Sequence, residues 1–297
     1  MNTHPDILCI GSVLWDVIGR SSSSMRQGND VPGRITQLPG GVALNIAMTL
    51  RRFGLRPALL SAVGRDAAGD QLVDELEEMG LRCDFLYRSA DLPTDRYMAV
   101  EGANGLIAAI ADAHSLETAG AKILTPLQDG RLARDDAPYD GMIALDGNLT
   151  LSLLTKIAGD PMFRAADLRV APASPGKAER LRPFLDQTRA TLYVNLEEAN
   201  LLCHSNFTTA ADAASKLLDR GAARALVTDG GNLAAEADKT GLRQATPPQV
   251  LVARVTGAGD TFMAAHMNAE LRNATPQRAL EDALHAAARY VSGETAH

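Results

Sequence analysis

One rhythm constrains the fold more than any single motif: a short apolar run, a glycine-rich turn, then an amphipathic helix, repeated along the chain. Asp6 to Gly11 is the first run, a buried strand closed by glycine. Gly40-Gly41 opens a helix carrying Leu44, Ala47, Met48 and Leu50, which ends near Gly54. Ala58 to Val63 reads as a strand. Gly64-Arg65-Asp66-Ala67-Ala68-Gly69 then turns into a helix with Leu72, Leu76 and Met79, closed by Gly80. Further strands are expected at Gly141 to Leu145, Leu168 to Ala171, Thr191 to Val194 and Ala225 to Thr228. Helices follow Asp146-Gly147-Asn148-Leu149, open at Ser174-Pro175-Gly176-Lys177, and run over Ala211 to Leu218, with Ala279 to Val291 closing the chain. Strands alternating with helices in this way predict a parallel α/β sheet.

Two stretches break the rhythm. Ser21 to Gly33 is polar and rich in turn residues, an excursion with room for a hairpin. Thr94 to Glu101, then Gly102-Ala103-Asn104-Gly105, then Leu106 to Ala111 reads as two strands around an Asn-Gly turn. Together they make a small β element off the main sheet.

The densest local chemistry lies near the end. Val250 to Val255 is β-branched and apolar and reads as a strand. Thr256-Gly257-Ala258-Gly259-Asp260 is a turn of small residues, and Phe262, Met263, His266, Met267 and Leu271 follow at helical spacing. Small residues let a ligand approach the backbone. The first turn of a helix offers unpaired N–H groups to a phosphate, and its dipole favours an ionised Asp260. A capping acid in an ordinary turn would have the same local sequence. Other polar residues also sit beyond expected strand ends: Asp16, Asp146, Asn148, Asn195, Glu198 and Thr228. That edge is where ligands collect in open parallel sheets.

Composition narrows the class. A formal charge of −7 over 297 residues argues against nucleic acid or an anionic membrane as partner. Cys9, Cys83 and Cys203 are few and widely spaced, which suits a reducing, cytoplasmic setting without disulfides or a zinc site. No basic-then-apolar leader and no membrane-length apolar run is present. The chain lacks a G-x-x-x-x-G-K-[ST] loop, a G-x-G-x-x-G after the first strand, a G-x-S-x-G elbow and an H-E-x-x-H pair. An anion-binding turn beside a carboxylate remains, and it fits phosphoryl transfer.

These motifs together resemble the PfkB (ribokinase-like) family of carbohydrate and nucleoside kinases. Thr256 to Asp260 is similar to that family's C-terminal signature, and Gly40-Gly41 with Asn45, Ala47 and Gly54 to its N-terminal one. Gly64 to Gly69 is similar to its G-x-D-x-x-G turn, and Asn195-Leu196-Glu197-Glu198 to its N-x-x-E motif. The resemblance implies one domain over 1–297, a three-layer α/β/α core with a small β-sheet lid formed by about 12–39 and 91–112. It implies ATP and Mg2+, Asp260 as base, and the amides of Gly257, Ala258 and Gly259 as anion hole. Substrate contacts fall to Asp16, Gly40, Gly41, Asn45, Asn148 and Asp260. Nucleotide contacts fall to Asn195, Thr228, Gly230, Thr256, Gly257 and Gly259, and the metal to Glu198 and Asn195 through water. Within the family the likeness runs to pseudouridine kinases. It rests on Thr94 to Val100 leading to Ala111-Asp112, on Asp146-Gly147-Asn148-Leu149, and on Ala173-Ser174-Pro175-Gly176-Lys177-Ala178.

The expected reaction is therefore 5′-phosphorylation of a nucleoside. The alternatives are a sugar kinase acting on ribose, fructose or a ketodeoxy acid, and a sensor that binds without turnover. Two departures from the family pattern bear on the site. Asp229-Gly230-Gly231-Asn232-Leu233-Ala234 keeps the first glycine of the nucleotide-side loop and loses the last, and Asp95 and Glu101 add acid near the substrate mouth. Lids of the family pair between subunits, so a homodimer is expected, although residues 20–34 show no apolar seam.

Overall fold

The computed structural model describes residues 4–134, 136–185 and 189–294. In chain order the strands are β1 (Ile7–Ile10), β2 (Leu14–Arg20), β3 (Arg34–Gly40), β4 (Pro57–Leu60), β5 (Ala62–Gly64), β6 (Tyr87–Ser89), β7 (Arg96–Gly102) and β8 (Gly105–Asp112), then β9 (Met142–Asp146), β10 (Asp167–Ala171), β11 (Thr191–Asn195), β12 (Arg224–Thr228), β13 (Ala234–Asp238) and β14 (Gly241–Ala245). The α-helices are α1 (Val42–Arg52), α2 (Ala67–Glu78), α3 (His114–Ala119), α4 (Leu151–Gly159), α5 (Leu196–Cys203), α6 (Ala210–Asp219), α7 (Ala258–Leu271) and α8 (Pro276–Ser292).

Eight strands form the main sheet in the order β14-β13-β12-β11-β10-β9-β1-β4. From β4 to β12 every pairing is parallel, while β13 and β14 run antiparallel at one edge. Successive side chains of a strand point to opposite faces, and β1 shows the result. Leu8 and Ile10 pack with Leu154 and Ile157 of α4, Leu202 of α5 and Leu217 of α6. Ile7 and Cys9 pack on the other face with Leu44 and Leu50 of α1, Leu72 of α2, Met263 of α7 and Leu284 of α8. With both faces of β1 buried, the core is the expected three-layer α/β/α sandwich.

A second sheet of four strands, in the order β3-β2-β7-β8, lies off the main one. Trp15 joins the two parts: it is the second residue of β2, is 1 % exposed, and its indole N–H donates to the Ala68 carbonyl of α2 at 2.8 Å. Asp66 caps α2 through Gly69 N–H and also accepts from Thr94 N–H at 2.9 Å, which ties the approach to β7 to the same helix. The turn between β7 and β8 is Ala103-Asn104, with Gly105 at φ 93°.

Several expectations change. Val250 to Val255 is not a strand. The β13–β14 hairpin already closes that edge of the sheet. The run lies outside it, with Leu251 91 % exposed, and Ala253 and Arg254 donate their N–H groups to Val291 at the end of α8. The helix after the glycine turn begins at Ala258, two residues before Asp260. Ser174 to Phe184 is helical but of the tighter 3-10 kind over Pro175–Phe184, with Pro183 inside it denying an α-helical hydrogen bond. Asp95 does not face the substrate mouth. It is buried, and its two oxygens accept from Ser115 and Leu116 N–H at 2.9 Å, so it fixes the start of α3. Glu101 pairs with Arg20 on the surface.

Candidate active site

The carboxyl ends of β1, β9, β11 and β12 converge on one edge of the main sheet, and the polar residues singled out there gather into a cleft. At its floor Asp146, fully buried at the end of β9, accepts four hydrogen bonds. They come from Ser12 N–H (2.7 Å), Ser12 Oγ (2.8 Å), Ala43 N–H (3.1 Å) and Asn148 N–H (2.6 Å). One buried carboxylate therefore stitches β1, β9 and the first turn of α1. Burial pushes its pKa up, and the hydrogen bonds from Ser12, Asn148 and Ala43 pull it back. The backbone must come close for this to work. A Cβ on Gly11 would lie 2.2 Å from Asp146 Oδ2, and one on Gly41, whose φ is 103°, would lie 2.5 Å from the Ser12 carbonyl. Ser12 escapes a sequence reading because its role depends on groups from other chain segments.

Asn148 belongs to this ring: its Nδ2 donates to Ser12 Oγ at 2.9 Å, and its Oδ1 accepts from Lys177 Nζ. Both ends of the amide are engaged.

α7 presents Asp260 to the cleft in its first turn. Gly257 precedes the helix at φ 88°, and a Cβ there would strike the Tyr290 hydroxyl at 2.5 Å. That hydroxyl donates to the Thr256 carbonyl at 2.9 Å, so α8 braces the turn from behind. Gly259, by contrast, looks onto open space. Of the expected amides, that of Ala258 donates to the Val255 carbonyl at 3.0 Å, while that of Gly259 lies in the first helical turn, where amides have no intrahelical partner.

Asp260 Oδ2 accepts from Asn45 Nδ2 of α1 at 2.8 Å. This bond joins residues 215 positions apart, one from each end signature. The Asp260 pKa is raised to about 7 in all: burial raises it most, Asn45 pulls it down, and the charges of Asp146, Asp16 and Glu198 push it up. The helix dipole, expected to keep Asp260 ionised, does not prevail. It is worth ~0.3–1 kcal/mol, less than one pKa unit at about 1.4 kcal/mol.

Asp16 stands on β2, within the second sheet, with its carboxylate against Gly40, where a Cβ would lie 2.2 Å from it. No described residue hydrogen-bonds this carboxylate, and burial raises its pKa to about 6. Tyr97 stands directly across on β7, and the Asp16 charge helps to raise its phenol pKa.

Asn195 and Glu198 form a reciprocal capping box at the start of α5: Asn195 N–H donates to Glu198 Oε2 and Glu198 N–H to Asn195 Oδ1, each at 2.8 Å. Glu198 Oε1 and Asn195 Nδ2 remain outside the box. Burial raises the Glu198 pKa to about 7. Among the described residues no three His, Cys, Asp or Glu side chains are close enough to hold a metal directly. Thr228 ends β12 beside Asn195, its register partner, and Gly230 follows in the next turn at φ 55°. No helix among the described residues is long and apolar enough to cross a membrane.

The family model described as pfkB family carbohydrate kinase matches residues 4–296. The pseudouridine kinase of Escherichia coli is 30% identical over 267 residues, covering 87% of this chain and 81% of that protein. The guanosine-inosine kinase of Exiguobacterium acetylicum is 27% identical, covering 94% and 90%. Among solved structures, Arabidopsis thaliana ribokinase complexed with ribose and ATP superposes with a TM-score of 0.80 at 21% identity, covering 97% of this chain and 93% of that one.

Proposed function

Because the chain belongs to the pfkB family of carbohydrate kinases and is a phosphotransferase, we propose that it moves the γ-phosphoryl group of ATP to the 5′-hydroxyl of a nucleoside, pseudouridine first among them. The observation that carries the mechanism is the Asn45–Asp260 hydrogen bond. It sets the sugar-side motif of α1 against the phosphate-side turn of α7, so an acceptor hydroxyl bound between them meets a carboxylate. With a pKa near 7, Asp260 is a competent proton acceptor at neutral pH. The hydroxyl oxygen attacks the γ-phosphorus, its proton passes to Asp260, and ADP leaves.

In this reading Asp16, with no protein donor on its carboxylate, binds sugar hydroxyls beside Gly40, Gly41 and Asn45. Asn148 acts from behind, through Ser12. The open backbone at Gly259, with Gly257 and Ala258, seats the transferring phosphoryl group; use of the Ala258 N–H requires release of its bond to Val255. Thr228, Gly230, Asn195 and Thr256 line the nucleotide side. The donor set fits a magnesium held through water: one free oxygen on buried Glu198, backed by Asn195, and no direct three-ligand cluster among the described residues. When bound, magnesium neutralises charge on the transferring phosphoryl group.

The four-stranded sheet serves as the lid, closing over Asp16 to exclude water. Its β8 is exposed along its whole length, and Ile35, Leu38, Met98, Leu106 and Ile110 leave apolar surface on the same sheet. An unpaired apolar edge strand is a template for a second chain, so we assign this sheet as the contact of a homodimer.

The preference for pseudouridine rests on the 30% identical relative, and the guanosine-inosine kinase relative, which spans more of the chain, supports another nucleoside as a second reading. The test is ADP release measured against pseudouridine, uridine, guanosine, inosine, ribose, fructose and a ketodeoxy acid, with the product position read by phosphorus NMR. Pseudouridine should give the highest kcat/KM, with phosphate on the 5′ carbon. Strong turnover of ribose with none of pseudouridine would sink the reading.

A further inference from the structure

Lys177 lies in the first turn of the 3-10 helix after β10, at the same sheet edge as the cleft. Its ammonium donates to Asn148 Oδ1, and Asn148 donates to Ser12 Oγ, which accepts from Val42 N–H, the residue after Gly41. Two side chains thus separate the lysine from the start of α1, where Gly41 and Asn45 lie. An ammonium carries three N–H donors. Asn148 is its only acceptor among the described residues, and no carboxylate among them forms a salt bridge with it. Nearby Arg180 is the opposite case. Its guanidinium is spent on the carbonyls of Gly147, Asn148 and Leu149 and on Glu117.

Holding Asn148 in place does not require a charge. A neutral donor would serve Asn148 Oδ1 without taking an ammonium partly out of water, which is costly when no carboxylate bonds it directly. The remaining side chains named at the cleft are predominantly acidic: Asp16, Asp146, Glu198 and Asp260. From this geometry we infer that Lys177 is a specificity-determining residue whose ammonium donates to an oxygen acceptor of the bound phosphoryl-acceptor substrate, with Asn148 aiming it. The inference rests on the kinase reading above, and on which molecule is phosphorylated only through the oxygen that Lys177 meets. Burial and Arg180 lower the lysine's pKa, while Asp146 and Glu117 support its charged form.

The experiment is steady-state kinetics of the full chain with Lys177→Met and Lys177→Arg, varying acceptor and ATP separately, with circular dichroism to confirm folding. Lys177→Met should raise the acceptor KM at least tenfold while the ATP KM stays within twofold, and Lys177→Arg should recover part of the loss. An acceptor KM within twofold of wild type, or a rise confined to ATP, overturns the inference. If Lys177→Met does not fold, Lys177→Gln decides by the same criteria, since glutamine keeps a donor for Asn148. Any acceptor that wild type turns over can be used, so failure of the pseudouridine reading does not decide the lysine. If pseudouridine and ribose lose affinity equally, the partner oxygen is on the sugar; if pseudouridine alone loses it, the oxygen is on the base.

Discussion

Asp260 shares its cleft with Asp16, Asp146 and Glu198, and each of these charges makes its proton harder to remove. With its pKa raised to about 7, Asp260 would titrate near neutral pH as the proposed base. Turnover should fall about tenfold per pH unit below pH 7, as expected when the required base is titrated; a flat rate from pH 5.5 to 8 would count against Asp260 as that base. The same acids set the stability of the free protein. Folded pKa values lie above the unfolded ones for Asp260 (about 7), Glu198 (about 7) and Asp16 (about 6). At these three groups the folded state binds more protons, so their contribution to stability grows as pH falls from 8 to 5.5, against the opposite contribution of His266, whose pKa is lowered. Acids held low, such as Asp66 and Glu270, lose their contribution only below that window. Asp260→Asn should raise the melting temperature at pH 8 by about 2 °C or more while lowering kcat by roughly 10²–10⁴. At this scale Asp260, Gly41 and Glu198 were readable because each is tied to a local pattern of strand end, turn and helix start. Ser12, Tyr290 and the ring around Asp146 were not, because their partners come from distant segments.

As an element, α7 does more than present its first turn. Its inner face carries Phe262, His266 and Glu270 at helical spacing against the main sheet. Glu270 pairs with Arg169 of β10 through one oxygen and Arg224 of β12 through the other. His266 bonds the Tyr193 hydroxyl of β11 at 2.8 Å and Arg224 at 3.1 Å, and burial lowers its pKa, favouring the neutral ring. Glu236 of β13, fully buried, completes the network through Arg224. Removing Glu270 leaves Arg169 with Asp167 and Arg224 with Glu236, so the cost falls below the about 3–5 kcal/mol of a buried charge stripped of its partner. Glu270→Ala should still lower the melting temperature by about 3 °C or more. A scan unchanged within about 2 °C would show that the network adds nothing net. Periodicity located this helix to within two residues but missed what its polar residues do. Arg169 and Arg224 carry no local signal in the sequence; only the sheet order sets their strands under the helix. The apolar run before it misled because β-propensity cannot tell a strand from an exposed connection when the sheet edge is already taken.

For the whole molecule, the alternation of runs and helices was enough to predict a parallel α/β sheet, the family resemblance its three layers, and the Asn-Gly turn a β element outside it. How that element meets other molecules was hidden. Its apolar residues lie on β3, β7 and β8 rather than in the polar excursion where a seam was sought. If the sheet pairs with a second copy, light scattering should give a dimer, and Ile110→Lys with Leu106→Lys should shift it to a monomer; a wild-type monomer at high micromolar concentration would remove the assignment. Trp15 carries a consequence of another kind. It is the only tryptophan in the chain, it neighbours Asp16, and its indole is pinned to α2 across the joint between sheet and core. The protein thus carries a single tryptophan at the junction of the two sheets, so if the smaller sheet closes as proposed, selectively excited tryptophan emission will time that motion when an acceptor molecule enters.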